Sequence, residues 1–327
     1  MPLFLKSLLL FWTLIAATHS APLLVHDQNP FSTGVIPMLP DAKLPAVGQS
    51  LFDFRLNLSN TLNFQGGVGQ TESLIIDAET TQIDLQWMKR INRLWLTGLS
   101  IPLVHHGRGE LDGFIDNYHD ALQLPQGDRR RRLQDQFQIF YKYGDEIRLD
   151  QRNSVSGIGD VSLLAGYVLD ESEARNITVF SRLQLPTGEQ RELTGRGKVN
   201  IAGWIAAAWK PEAMLAFSAD FGLTFSPDSD TVIGEHQDWI GFGSAAVQWN
   251  VNSKLNLVVQ LDAHSTIFTD TNVDLLGSAV LMIMGGTLAL KPGLNLEISV
   301  SEDIQVNASS DVSLQVGFSV LYGEMWQ

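Results

Sequence analysis

From Phe52 to Phe64 the chain is apolar at nearly every second position, at Phe52, Phe54, Leu56, Leu58, Leu62 and Phe64. Asp53, Arg55, Asn57, Ser59, Thr61 and Asn63 stand between them. A two-residue period places one set on an oily face and the other on a polar face of a β-strand. The run is long enough to cross a bilayer when tilted, since roughly 9 to 11 residues suffice for a transmembrane strand. The same signature recurs at Thr80 to Trp87, Leu94 to Val104, Gly157 to Val168, Ile177 to Leu185 and Val199 to Trp209. It returns at Met214 to Phe225, Trp239 to Trp249, Leu255 to His264, Ser278 to Leu290, Leu294 to Ser301 and Val312 to Tyr322. The pattern predicts an all-β fold, a transmembrane antiparallel β-barrel of about 12 strands, an even count of the kind bacterial single-chain barrels have.

Connection lengths are an independent check, because such barrels alternate short periplasmic turns with longer extracellular loops. The short set is Met88 to Arg93, Leu169 to Asn176, Lys210 to Ala213, Asn250 to Lys254 and Lys291 to Gly293. The longer set is Gln65 to Glu79, His105 to Ser156, Pro186 to Lys198, Ser226 to Asp238, Ser265 to Gly277 and Glu302 to Asp311. Phe137 to Leu149 also reads as strand, but counting it would break the alternation. It is expected as a hairpin inside the 105–156 excursion, turning near Tyr143, Gly144 and Asp145. Trp87, Trp95, Trp209 and Trp249 flank the short connections, as an aromatic girdle does; Trp239 lies at the opposite end and Trp204 falls mid-strand.

Ahead of the strands, Met1 to Lys6, an apolar stretch from Ser7 to Ala17 and the small residues Thr18, Ser20 and Ala21 form a secretory signal peptide, residues 1–21. Residues 22–50 are expected in the periplasm or the lumen, and 51–327 form the barrel. The 327 residues contain no cysteine, which excludes disulfides and thiolate metal sites. A net charge of −14 argues against nucleic acid as partner. The partners expected are outer-membrane lipids, a small solute and the barrel assembly machinery, although Gln327 replaces the usual terminal aromatic.

Several segments resemble an uncharacterised Gram-negative outer-membrane family, the domain-of-unknown-function family numbered 3187. They are Asp27 to Phe31, Asp77 to Thr80, Ile101 to His105, Gly109 to His119, Leu124 to Arg129, Gly157 to Asp160 and Leu185 to Gly188. The last two strings are also similar to a wider group of barrels linked with uptake of small hydrophobic compounds. The resemblance implies an envelope barrel and brings no catalytic residue.

With the oily face outward, the lumen receives Asp53, Arg55, Asp160, Arg182, Gln184, Ser218, Asp220, Thr224, Gln260, Asp262, His264, Asn295 and Glu297. Its charged members are candidate selectivity residues of a channel; the alternative is a hydrogen-bonded, salt-bridged filling. In the long excursion, Leu111, Phe114 or Ile115, Tyr118 and Leu122 share a helical face, with Asp112 as cap and Pro125 as stop. The expectation is a short helix, including Asp112, Phe114, Asp116, Tyr118 and His119, acting as gate or plug in the extracellular loop. Asp116, His119 and Asp120 have the spacing of neighbours on one helix face, but solvated or lumen-bonding groups are the plainer reading, and no metal or cofactor is expected. Arg129, Arg130, Arg131 and Arg132 form the dense basic run and are candidates for lipid headgroups. Ser100 near His105 or His119 keeps a membrane-embedded hydrolase in play, without a Gly-x-Ser-x-Gly elbow. The reading is a passive channel for a small solute, against the alternatives of a hydrolase or a non-conducting structural or lipid-binding barrel.

Overall fold

The computed structural model describes residues 22–38, 44–66, 70–109, 113, 117, 136–227, 235–305 and 308–323. Its strands are β1 (Ser50–Gln65), β2 (Glu72–Arg90), β3 (Trp95–Gly107), β4 (Gln138–Tyr143), β5 (Glu146–Gln151), β6 (Val155–Ile158), β7 (Ser162–Glu171), β8 (Arg175–Gln184) and β9 (Asn200–Trp209). There follow β10 (Leu215–Phe225), β11 (Glu235–His236), β12 (Trp239–Asn250), β13 (Leu255–His264), β14 (Phe268–Thr269), β15 (Ala279–Lys291), β16 (Leu294–Asp303) and β17 (Val312–Tyr322). Each long strand pairs antiparallel with its sequence neighbour, and β1 pairs with both β2 and β17, from Ser50 with Tyr322 to Asn60 with Val312. The described residues thus close a barrel of 12 strands, as the alternation predicts.

Parity holds through the wall. On β1, Asp53, Arg55, Asn57 and Ser59 are buried while Phe52 and Phe54 are exposed. The outward face of the other strands carries Leu163, Ile201, Ile205, Phe221, Val259, Ile298 and Phe318, all exposed. These residues form an apolar belt that a lipid bilayer would cover. Trp95 meets Tyr167 edge-on at 4.9 Å and Trp209 stacks on Phe217 at 5.8 Å, both at the short-turn end, while Phe225 and Trp239 lie 5.1 Å apart at the other.

Two elements differ from the plain alternation. β2 begins at Glu72, ahead of the expected Thr80, because residues 72–77 pair with β4 and residues 74–79 with the end of β1. The β4–β5 hairpin turns at Gly144, whose φ of +58° is left-handed and suits glycine. The wall strand expected over Gly157 to Val168 is divided: β6 pairs with β3 at His106 to Leu103 and β7 pairs with it at Ser100 to Trp95, with Gly159 N–H donating to the Pro102 carbonyl at 2.7 Å between them.

A hydrophobic core fills the long-loop end. Leu74, Ile76, Ile139 and Tyr141 from β2 and β4 pack with Ile267, Phe268, Leu275 and Leu276 from the 265–278 connection, and with Phe31 and Val35. Glu72 ties this roof together: its carboxylate accepts from the Tyr141 hydroxyl at 2.9 Å, the Thr271 hydroxyl at 2.9 Å and the Asn272 N–H at 2.9 Å.

Candidate functional site: a plugged lumen with a residual cavity

Residues 22–38 run inside the barrel, bonded to inward-facing side chains. Gln260 treats Leu23 as a neighbouring strand would, accepting its N–H at 2.8 Å and donating to its carbonyl at 3.1 Å. Leu23 and Val25 pack against Ala246, Val258, Leu281 and Ile283. The Asp27 carboxylate receives His264 Nε2 at 3.3 Å, the Ser32 hydroxyl at 2.8 Å, the Asn29 N–H at 2.9 Å and the Ser309 hydroxyl. The chain turns at Asn29 to Val35, with Ser32 N–H donating to the Asn29 carbonyl and Val35 N–H to that of Ser32. It is then held by Arg182, which donates to the carbonyls of Gly34 at 2.7 Å and Val35 at 3.1 Å. Thr224 donates to the Val35 carbonyl at 2.9 Å, and Arg196 to that of Phe31 at 3.2 Å. An extended segment without a sheet must satisfy its backbone through side chains, and the inward polar residues supply them.

The predicted lumen residues fall into groups. Arg55 is 1% exposed and donates to Glu297 at 2.5 Å and to Asp53 at 3.3 Å; Asp53 also accepts from the Ser319 hydroxyl, and Glu297 from Gln315 at 3.0 Å. Here the lumen is a paired, buried ion cluster. Asp220 accepts from the Ser244 hydroxyl at 2.8 Å, and Asp262 from Gln260 Nε2 at 2.8 Å. Asp160 accepts from Gly188 N–H at 2.9 Å, Arg196 N–H at 2.7 Å and Gln184 Nε2 at 2.9 Å, so it ties the 185–198 connection to the wall. Arg182 and His264 hold the internal segment.

Asp112, Phe114, Asp116, Tyr118 and His119 of the expected helix, and Arg129 to Arg132, lie outside the described residues. His105 and His106 point to opposite sides, as adjacent strand residues do. His106 is fully buried between the Thr80 hydroxyl at 2.8 Å and the Leu193 carbonyl at 3.2 Å, while His105 Nδ1 meets the Ser156 hydroxyl at 2.7 Å on the exposed side. Among the described residues no Asp or Asn bonds the His105 ring, and Ser100 faces inward, away from it. No cluster of His, Asp and Glu among the described residues could hold a metal ion.

Between the internal segment and β1, β2, β3, β7, β8 and β9 remains a cavity of about 80 Å³. It extends lengthwise from Asp160 and Gln184 near the long-loop end to Leu51 and Met88 near the short-turn end. Of its lining, Ile36, Met88, Leu164 and Trp204 belong to one apolar cluster, and His26, Asp84, Arg182 and Gln184 are polar. Trp204 is stacked on Phe180 at 5.4 Å and meets Phe242 edge-on at 6.2 Å. Sequence reasoning missed Asp84, His26 and the role of Trp204. Asp84 and Trp204 have inward parity on β2 and β9, and that parity was the signal that could have found them.

No curated protein matches the chain. Among solved structures, the COG4313 outer membrane channel from Pseudomonas putida F1 shares the fold with a TM-score of 0.59 at 13% identity, over 86% of this chain and 97% of that one. More distant are the CymD monoaromatic hydrocarbon channel (TM-score 0.42, 9% identity, 94% of this chain and 96% of that one) and the toluene transporter TodX of P. putida (TM-score 0.39, 9% identity, 88% and 92%). The barrel therefore has the fold of an outer-membrane channel. The model of the DUF3187 family, described as a protein of unknown function, matches residues 8–322, and the chain belongs to that family.

Proposed function

We propose that the protein is a passive outer-membrane channel for a small solute, held closed by residues 22–38. The observation that carries this reading is the cavity of about 80 Å³, room for several waters, left beside the internal segment. A barrel interior serving only as structural filling has no use for such a space, since packed interiors contain few voids larger than a water molecule. The segment is a plug and not a wall element, because side chains hold it and no strand ladder does. Its removal would join the cavity to the rest of the lumen. In the same reading the short turns face the periplasm, the loop helix of Asp112 to His119 is a second gate, and Arg129 to Arg132 meet lipid headgroups. Insertion depends on the barrel assembly machinery, and Asp53, Arg55, Asp160, Arg182, Asp220, Asp262, His264 and Glu297 line the path or anchor what closes it.

The test is single-channel conductance in planar bilayers for the refolded protein, for a variant lacking residues 22–38 and for one lacking 109–132. Steady conductance in the first deletion, with little or none in the parent, is the expected result. Silence from all three, each shown to be a folded barrel by heat-modifiable gel migration, would establish a non-conducting barrel instead.

A further inference from the structure

Four polar atoms on the cavity-lining side chains have no hydrogen-bond partner in the protein: Trp204 Nε1, Arg182 Nε, Gln184 Oε1 and His26 Nδ1. Trp204 is 3% exposed, Gln184 1%, and Arg182 and His26 9% each. Leaving one such group unpaired in a protein interior is costly, and four bordering one space is an arrangement that a polar ligand would satisfy.

The chemistry of each atom is fixed by what its side chain already does. Trp204 Nε1–H and Arg182 Nε–H can only donate. Gln184 spends its amide nitrogen on Asp160, so its free oxygen accepts. Gln28 donates its amide nitrogen to His26 Nε2 at 3.2 Å, which leaves the proton of the neutral ring on Nδ1. Burial holds the His26 imidazole below its ordinary value of 6.5, so the neutral form is the one present at pH 7. The site thus offers three donors and one acceptor beside the apolar cluster of Met88, Leu164 and the Trp204 ring. Arg182 already has the Asp160 carboxylate as its counter-charge. A carboxylate ligand would bring an uncompensated charge into the cavity; a neutral hydroxyl would not.

We propose that this cavity binds a small neutral aromatic compound bearing a hydroxyl group, a phenol. Its ring lies against the apolar cluster, its oxygen accepts from Trp204, Arg182 or His26, and its hydroxyl proton goes to Gln184 Oε1. This deepens the channel reading by naming the solute class, and it is tested separately from conduction.

The experiment is ¹⁹F NMR of the full protein in detergent with 4-fluorophenol, fluorobenzene and 4-fluorobenzoate, against protein-free micelles. Trp204→Phe keeps an aromatic ring and removes one donor that has no partner in the fold, and His26→Leu removes another together with the acceptor of the Gln28 amide. The expected result is saturable binding of 4-fluorophenol, at least tenfold tighter than that of the other two, and weakened about tenfold or more in each variant. Equal binding of fluorobenzene would show that the polar groups take no part, tighter 4-fluorobenzoate would overturn the neutral class, and binding indifferent to both variants would place the compound elsewhere. If the deletion of residues 22–38 conducts while 4-fluorophenol fails to bind, the channel stands and the solute class falls; binding with silence in every variant gives the reverse.

Discussion

The carboxylate of Asp160 accepts the backbone N–H of Gly188 at 2.9 Å, joining the two short strings Gly157 to Asp160 and Leu185 to Gly188. The join is reciprocal. Thr187 donates its hydroxyl to the Gly159 carbonyl at 2.7 Å and accepts the Val161 N–H at 2.9 Å, while Arg196 N–H reaches Asp160 at 2.7 Å. The strings therefore form one clamp where the wall strand is interrupted between β6 and β7. A residue expected to select solute is occupied in holding a loop.

Asp160→Ala leaves the N–H groups of Gly188 and Arg196 without their acceptor. Each unsatisfied buried donor costs about 1–3 kcal/mol, so a loss of about 2–4 kcal/mol is expected. Limited proteolysis in detergent would show new cleavage between residues 186 and 198, and Asp160→Asn, which keeps an acceptor oxygen, would show less. Unchanged proteolysis in Asp160→Ala would remove the clamp from the account.

Arg55 is the anchor of the buried ion cluster. Glu297→Ala strips its 2.5 Å partner and leaves the guanidinium with Asp53 as its charged partner. Breaking a buried pair on one side costs about 3–5 kcal/mol, whereas replacing both partners with apolar groups is often close to neutral. Urea unfolding in detergent should rank wild type and Asp53→Leu/Arg55→Met/Glu297→Leu together, with Glu297→Ala well below. The opposite ranking would mean that the cluster is worth more as charge than as filled volume.

The barrel wall was legible because a period of two survives wherever one face meets lipid and the other the lumen. At the start of β2 the signal fails for a physical reason: Leu74, Ile75 and Ile76 are consecutive apolar residues, since Leu74 and Ile76 face the core of the long-loop end. The internal segment was illegible as a plug for a different one. It has no periodicity, and it is held by Gln260, Arg182 and Thr224, which lie far away in the chain and whose parity says only that they face inward. Trp204 stood out only as an exception to the girdle, although its parity on β9 turns it inward, toward the cavity.

Gly222 shows how the aromatic side of the lumen is fitted. It is the register partner of both Trp204 and Phe242, and a Cβ there would lie 2.4 Å from the Trp204 Cβ and 2.7 Å from the Phe242 ring. The same Cβ would also lie 2.5 Å from the Gly203 carbonyl, so Gly222→Ala forces β9 and β10 apart together with the two rings, at about 1–3 kcal/mol, the usual cost of overpacking. Thermal unfolding should fall accordingly, and near-ultraviolet circular dichroism of the Phe180–Trp204–Phe242 stack should change. An unaltered spectrum would show that the strands move instead of the rings.

Asp27 sets the pH range over which the plug stays in place. Burial works against its charge, but the hydrogen bonds from His264, Ser309 and the Asn29 N–H outweigh that and hold the carboxyl below its ordinary value of 3.8. A carboxyl depressed in the folded state contributes its stability in full above the ordinary value and loses it as pH falls through the lower, folded one. The anchor should then hold through neutral and mildly acidic pH and weaken only below about 3.8. Conductance events recorded from pH 7 to pH 3 should stay rare until the last step, whereas Asp27→Ala should show them at every pH. Opening of the wild type between pH 6 and 5 would assign the latch to a different group, and a silent Asp27→Ala would mean that the remaining bonds from Gln260, Arg182 and Thr224 suffice to keep the segment seated.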